Sequence, residues 1–136
     1  MKTKVRWIEG MRFIGETDSG HLVVMDAPKE SGGENLAPSP MTILLTTLGG
    51  CTGMDVVSIL KKMKEKVANF SIEIGAQRRE EHPRIFSEIE MVYKFQGENL
   101  NRENIEKAVK LSFEKYCSVG AILKLSCPVK YRIEII

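Results

Sequence analysis

Three cysteines carry the chemical options of this chain: Cys51, Cys117 and Cys127. A thiolate is a nucleophile, and two thiols within reach can pass through a sulfenic acid to a disulfide. Cys51 follows Gly49-Gly50 inside LAPSPMTILLTTLGGCTGMDVVSIL, Leu36 to Leu60, where Asp55 is the only charge. Cys117 closes a second segment with helical periodicity. If both helices meet in the core, Cys51 and Cys117 lie side by side, and the pair suggests redox chemistry. Cys127 precedes Pro128 at the start of a strand pattern and reads as a small buried hydrophobe.

A thiolate at Cys51 needs a cation beside it. The helix start lies about three turns away, and the dipole effect fades within the first turn. Asp55, one turn on, pushes the wrong way unless it is paired. Arg12 and Arg6, in the first two strand patterns, are the candidate cations, because arginine stays charged while it hydrogen-bonds. On a helical wheel Cys51 shares a face with Leu44, Thr47, Leu48, Asp55 and Ser58, so its surroundings are largely apolar.

The elements that must position these groups are legible from periodicity. Lys4 to Ile8, Met11 to Thr17 and His21 to Asp26 read as short strands, with turns at Glu9-Gly10 and Asp18-Ser19-Gly20. A loop with Pro28, Gly32, Gly33 and Pro38 leads to Ser39-Pro40, an N-cap followed by a first helical position. The helix is expected from Pro40 to about Lys66. Gly49-Gly50 cost it about 1 kcal/mol each relative to Ala, and are expected to let a neighbour approach Cys51. Asn69 to Gln77 and Ile85 to Phe95 alternate as strands, the latter with Ile89, Met91, Tyr93 and Phe95 on one face. Asn101 caps a second helix, Arg102 to about Tyr116, whose inner side is marked by Ile105, Ala108, Val109, Ser112, Phe113 and Tyr116. Ser118 to Lys124 adds a turn or two of helix, and Pro128 to Ile136 is the last strand. The order is βββ-α-ββ-α-β, an α+β fold. A first helix that is apolar nearly all round outruns what two small sheets can cover, so an obligate homodimer with the long helices at its centre is expected.

Bulk composition sets further bounds. The chain has 136 residues, 43% of them hydrophobic, which fits a single domain over 1–136 with a real core. A net charge of +2 without a clustered basic face argues against nucleic acid. Lys61, Lys62, Lys64 and Lys66 read as a solvated helix end. Leu36 to Leu60 is long enough to span a membrane, but its three glycines, four threonines and Asp55 favour burial in protein. Met1 to Arg12 is a charged strand pattern rather than a signal peptide, so the cytoplasm is the expected compartment. An odd number of cysteines in a reducing compartment speaks against a disulfide framework. His21 and His82 stand at no ligand spacing, so no metal and no cofactor are expected.

The stretch KESGGENLAPSPMTILLTTLGGCTGMDVVSIL resembles the central motif of the OsmC/Ohr family: a glycine pair, a proline turn, and a helix with a cysteine after small residues. EKYCSVGAIL resembles that family's second cysteine motif, about 66 residues further on. The resemblance implies an intertwined homodimer whose long central helices are wrapped by two sheets, with active sites at the subunit interface. It implies a thiol-dependent peroxidase that reduces organic hydroperoxides, with a lipoamide-type dithiol as reductant. Cys51 falls on the peroxidatic position, Cys117 on the resolving position, and Arg12 on the arginine that contacts the thiolate. The family's glutamate near the start of the cysteine helix falls at Met41, or at Thr42 with a shift of one, and neither is an anion. Glu30 or Glu34 in the preceding loop is the available substitute, and the chain looks closer to the OsmC-like branch than to the Ohr enzymes.

Two functions from different classes follow. One is a two-cysteine peroxidase, in which Cys51 becomes a sulfenic acid, Cys117 closes a disulfide, and the lining of Leu44, Leu48 and Met54 favours organic peroxides. The other is a dimer that binds a small apolar ligand or senses oxidation without efficient turnover. A purely structural role has no motif of its own.

Overall fold

A computed structural model describes all residues from Met1 to Ile136. The chain forms two compact units, Met1–Leu44 and Leu45–Ile136. In the first, β1 (Thr3–Glu9), β2 (Arg12–Thr17) and β3 (Leu22–Met25) make an antiparallel sheet in the order β1-β2-β3. Gly10 and Gly20 take the positive φ that the two turns require. Much of the sheet's apolar surface is exposed, Trp7 at 67% among it, with Val5, Phe13 and Val23 on the same face. A contiguous apolar face of that kind marks a surface that something else covers.

The loop after β3 is organised by one buried carboxylate. Asp26, 2% exposed, accepts from the backbone N–H groups of Ala27 at 2.7 Å, Leu36 at 3.0 Å and Glu34 at 3.3 Å. The Leu36 bond, with those from Ala27 and Glu34 and the Arg12 charge, outweighs burial and holds Asp26 below the usual carboxylate range. Ser39 Oγ then accepts from Thr42 N–H at 3.4 Å, the expected N-cap.

Helix α1 (Pro40–Lys62) starts at the expected residue but stops four positions short of Lys66. Lys64 takes φ 61°, and Glu65 N–H reaches Leu60 O while Lys64 N–H reaches Lys61 O. Those bonds are a Schellman end, which satisfies the last carbonyls and turns the chain into β4. The lysine-rich tail therefore divides: Lys61 and Lys62 end the helix, while Lys64 and Lys66 lie beyond it.

In the second unit, β4 (Val67–Arg78) pairs antiparallel with β5 (Phe86–Gly97), and β6 (Val129–Ile135) pairs parallel with β5. Ile89, Met91, Tyr93 and Phe95 of β5 are all buried, as their alternation predicts. The buried stripe of α1 is Leu48, Thr52, Val56 and Leu60, four residues spaced by four. An ideal Cβ on Gly49 would stand 3.1 Å from Ile74 Cδ1, and one on Gly53 3.6 Å from Ile72 Cδ1, whereas Gly50 faces open space. Gly49 and Gly53 thus let α1 settle on β4, while Gly50, next to Cys51, leaves its side of the helix open. The opposite side of α1 is bare, with Met54 76% exposed.

The second helix also differs from expectation. It is regular only as α2 (Arg102–Leu111), capped by Asn101 Oδ1, which accepts from Glu103 N–H and Asn104 N–H. A π-turn, Ser112–Tyr116, then widens the coil, and α3 (Ser118–Lys124) follows. The wider turn rotates later residues, so Tyr116, expected inside, is 49% exposed.

The left-handed Lys64 gives a direct test of the helix end. Lys64→Gly is expected to stabilise the protein by about 1 kcal/mol, because glycine adopts that φ without a Cβ clash. Thermal unfolding of the two proteins measures it.

Candidate functional site

Cys51 lies next to the buried stripe of α1 and is half-buried; Cys117, at the end of the π-turn, is 5% exposed. Both are free thiols, and Cys51 is among the groups near enough to Cys117 to push its thiol up. The wheel neighbours of Cys51 divide: Leu48 is buried and Asp55 half-buried, while Leu44 and Ser58 are exposed.

Cys117 is held from two further directions. Its N–H donates to Ser112 O at 2.9 Å, the bond that closes the π-turn, and its Sγ accepts from Gly120 N–H at 3.3 Å. Gly120 sits so close that an added Cβ would stand 3.2 Å from that sulfur. Burial pushes the Cys117 thiol up from 9.0 to about 11; the Gly120 N–H opposes the rise, while Cys51 and the Asp55 charge add to it. A cavity of about 10 Å³ adjoins it, lined by Leu48, Thr52, Tyr93, Phe113 and Gly120 among others. That is space for about one water molecule.

Beneath the thiols runs a line of buried hydroxyls that sequence reading did not assemble. Tyr93 Oη is 2.8 Å from Thr52 Oγ1, which is 2.8 Å from Ser112 Oγ, and Ser112 donates to Asp55 Oδ2 at 2.9 Å. A carboxylate only accepts. The protons therefore point one way, from Tyr93 to Thr52, to Ser112, to Asp55. This answers the question that Asp55 raised in the sequence, because its charge is met by a hydroxyl from the second cysteine's segment. Burial pushes the Tyr93 phenol up to about 12, so it stays a donor. Two signals were available: Thr52 and Asp55 inside an apolar helix, and Ser112 on an inner helix face. Each is a polar group that must find a partner when buried.

Arg12, Arg6, Glu30 and Glu34 lie in the first unit. Arg12 Nη2 is 2.9 Å from Glu9 Oε2 and 3.6 Å from Glu34 Oε2, while its buried Nε has no partner. Of the two acids proposed to replace the one absent at Met41 or Thr42, Glu34 therefore pairs with Arg12; Glu30 is exposed in a 3-10 turn. Arg6 is exposed on β1. Cys127 is buried, its Sγ 3.9 Å from Leu123 O.

The fold is mixed α+β, with Cys51 on α1 and Cys117 at the end of the π-turn. The model of the family described as OsmC-like protein matches residues 32–132. Protein YhfA of Escherichia coli K12 is 40% identical over 136 residues, which are the whole of this chain and 98% of that protein. The chain therefore belongs to the OsmC-like family. Among solved structures, a hypothetical protein from Aquifex aeolicus VF5 is 34% identical, with a TM-score of 0.82 over 99% of this chain and 96% of that one. An organic hydroperoxide resistance protein OsmC from Legionella pneumophila is 18% identical, with a TM-score of 0.73 over 98% of this chain and 97% of that one, and shares the fold.

The raised value at Cys117 sets its reactivity and its effect on stability. A folded-state value above the unfolded one stabilises fully below the unfolded value, and the contribution is lost as pH rises through about 11. Alkylation of Cys117 by iodoacetamide in a Cys51→Ser, Cys127→Ser background is expected to stay slow at pH 8 and to accelerate only towards pH 11. Mass spectrometry of the labelled peptide follows it.

Proposed function

We propose that this protein is a thiol-dependent peroxidase for organic hydroperoxides, working as a homodimer built from one OsmC-like domain per chain, residues 1–136. The observation that carries the reading is that Thr52, the residue after Cys51, meets Ser112, whose carbonyl accepts the Cys117 N–H, so two free thiols from distant segments share one region. Family membership supports it, as does the name organic hydroperoxide resistance protein carried by a protein of the same fold.

In this reading the Cys51 thiolate attacks the distal peroxide oxygen. The O–O bond breaks, an alcohol leaves once its alkoxide takes a proton, and Cys51 becomes a sulfenic acid. Cys117 then attacks that sulfur; an S–S bond forms, the S–O bond breaks, and the hydroxyl leaves with the thiol proton as water. A lipoamide-type dithiol reduces the disulfide and completes the cycle. We assign Arg12 the part of the cation that favours the Cys51 thiolate, with Glu9 and Glu34 fixing its guanidinium.

The homodimer rests on two apolar surfaces that the chain leaves bare: the sheet face with Trp7 and Val5, and the side of α1 with Met54 and Val57. Burial of both against a second copy would follow the usual fate of such patches. The same burial would give a place to a helix that is long and apolar enough to cross a membrane. A ligand-binding or redox-sensing dimer is the alternative, and the small cavity beside Cys117 gives a ligand little room.

Purified protein is expected to consume cumene hydroperoxide with dihydrolipoamide as reductant. Cys51→Ser should abolish consumption, and Cys117→Ser should stop after one equivalent with a dimedone-reactive sulfenic acid at Cys51. A Cys51→Ser protein as fast as wild type would end the proposal.

A further inference from the structure

Ser112 has an unusual set of partners. Its hydroxyl meets two residues of α1, Thr52 Oγ1 at 2.8 Å and Asp55 Oδ2 at 2.9 Å, and its carbonyl accepts the Cys117 N–H at 2.9 Å. Thr52 follows Cys51 directly in the chain, and Asp55 lies one helical turn beyond it. One serine therefore ties the backbone of one cysteine to the two side chains that flank the other. Ser112 and Thr52 are 0% and 1% exposed, so bulk water is kept from the bond between them. The tie falls at the π-turn, where the coil is widened, and it is the widened turn that presents Cys117. Tyr93 anchors the far end of the line to β5, the central strand of its sheet.

We propose that the Thr52–Ser112–Asp55 cluster is a positioning clamp that sets the closure of a Cys51–Cys117 disulfide, with Ser112 as its centre. The proposal rests on the two-thiol reading above and adds residues that neither thiol chemistry nor the family motif names. Closure joins the two sulfurs, and its rate depends on how often they stand in line. A misplacement of about 1 Å in such a step costs up to about a hundredfold. The clamp removes that freedom by joining α1 to the π-turn through charged and neutral hydrogen bonds in a dry core. Ser112 and Thr52 touch no reacting atom, so they are positioning residues and not catalytic ones.

The test reads disulfide equilibrium and not peroxide turnover. Wild type, Thr52→Val, Thr52→Ser and Ser112→Ala, all in a Cys127→Ser background, are equilibrated with defined ratios of oxidised and reduced dithiothreitol. Two protein thiols give two electrons and two protons to the cyclic disulfide of the reagent, so no peroxide is involved. Thr52→Val keeps the volume and loses the hydroxyl, and its equilibrium is expected to shift about tenfold towards the dithiol. Ser112→Ala should shift the same way, and Thr52→Ser, which restores the hydroxyl, should return close to wild type.

Far-UV circular dichroism checks that each variant folds; if Thr52→Val does not, Ser112→Ala against Thr52→Ser carries the comparison. Equal equilibrium constants in wild type and in the variants that lose a hydroxyl would overturn the clamp, as would a wild type that forms no Cys51–Cys117 disulfide. A wild type that forms the clamped disulfide yet leaves peroxides untouched would remove the peroxidase reading and keep the clamp.

Discussion

Helix α1 can rest only one stripe on the sheet of the second unit, and the rest of the site follows from which stripe it is. Leu48, Thr52, Val56 and Leu60 are the buried set. A residue next to the stripe is rotated by about 100° from it. Cys51 is such a residue, so it borders the core without being sealed inside. Gly49 and Gly53 permit the close seat, since a methyl at Gly49 would press on Ile74. The helix propensity they forgo is recovered as proximity between α1 and β4.

That seat places Thr52 inside the core, where a hydroxyl without a partner costs about 1–3 kcal/mol. Tyr93 and Ser112 supply the partners, and Ser112 in turn answers Asp55. The polar line is satisfied throughout, which suits a buried network better than partial pairing. It also holds the π-turn in register with α1. Cys117 then faces Cys51, with Gly120 N–H on its sulfur and apolar side chains around it. The thiol pair, the π-turn and the hydroxyl line are three views of one packing solution.

The first unit solves a separate problem. Asp26 gathers three backbone N–H groups, and the loop it folds carries Glu34 to Arg12. A guanidinium held at Nη2 by Glu9 and Glu34 keeps a fixed plane and leaves Nε unpartnered. The acid that the resemblance implies at Met41 or Thr42 is absent, and Glu34, from the preceding loop, is a carboxylate that meets Arg12. Electrostatic roles tolerate such relocation, because a carboxylate acts through distance and direction and not through its place in the sequence.

Periodicity and capping chemistry are local, and what they control was legible: six strands, the Ser39-Pro40 helix start, the Asn101 cap and the inward row of β5. The two cysteine motifs were also enough to name the family. Misjudged were the end of α1, where a lysine adopts the left-handed turn, and the π-turn, which no propensity scale marks and which carries Tyr116 outward. The hydroxyl line was visible only as unexplained polar residues at Thr52, Asp55 and Ser112. Its assembly joins α1, the π-turn and β5, residues up to 60 positions apart in the chain. Hydrogen bonds of that kind depend on distances of a few tenths of an ångström between elements. The order of residues sets which groups need partners; only the packed chain decides which partners they receive.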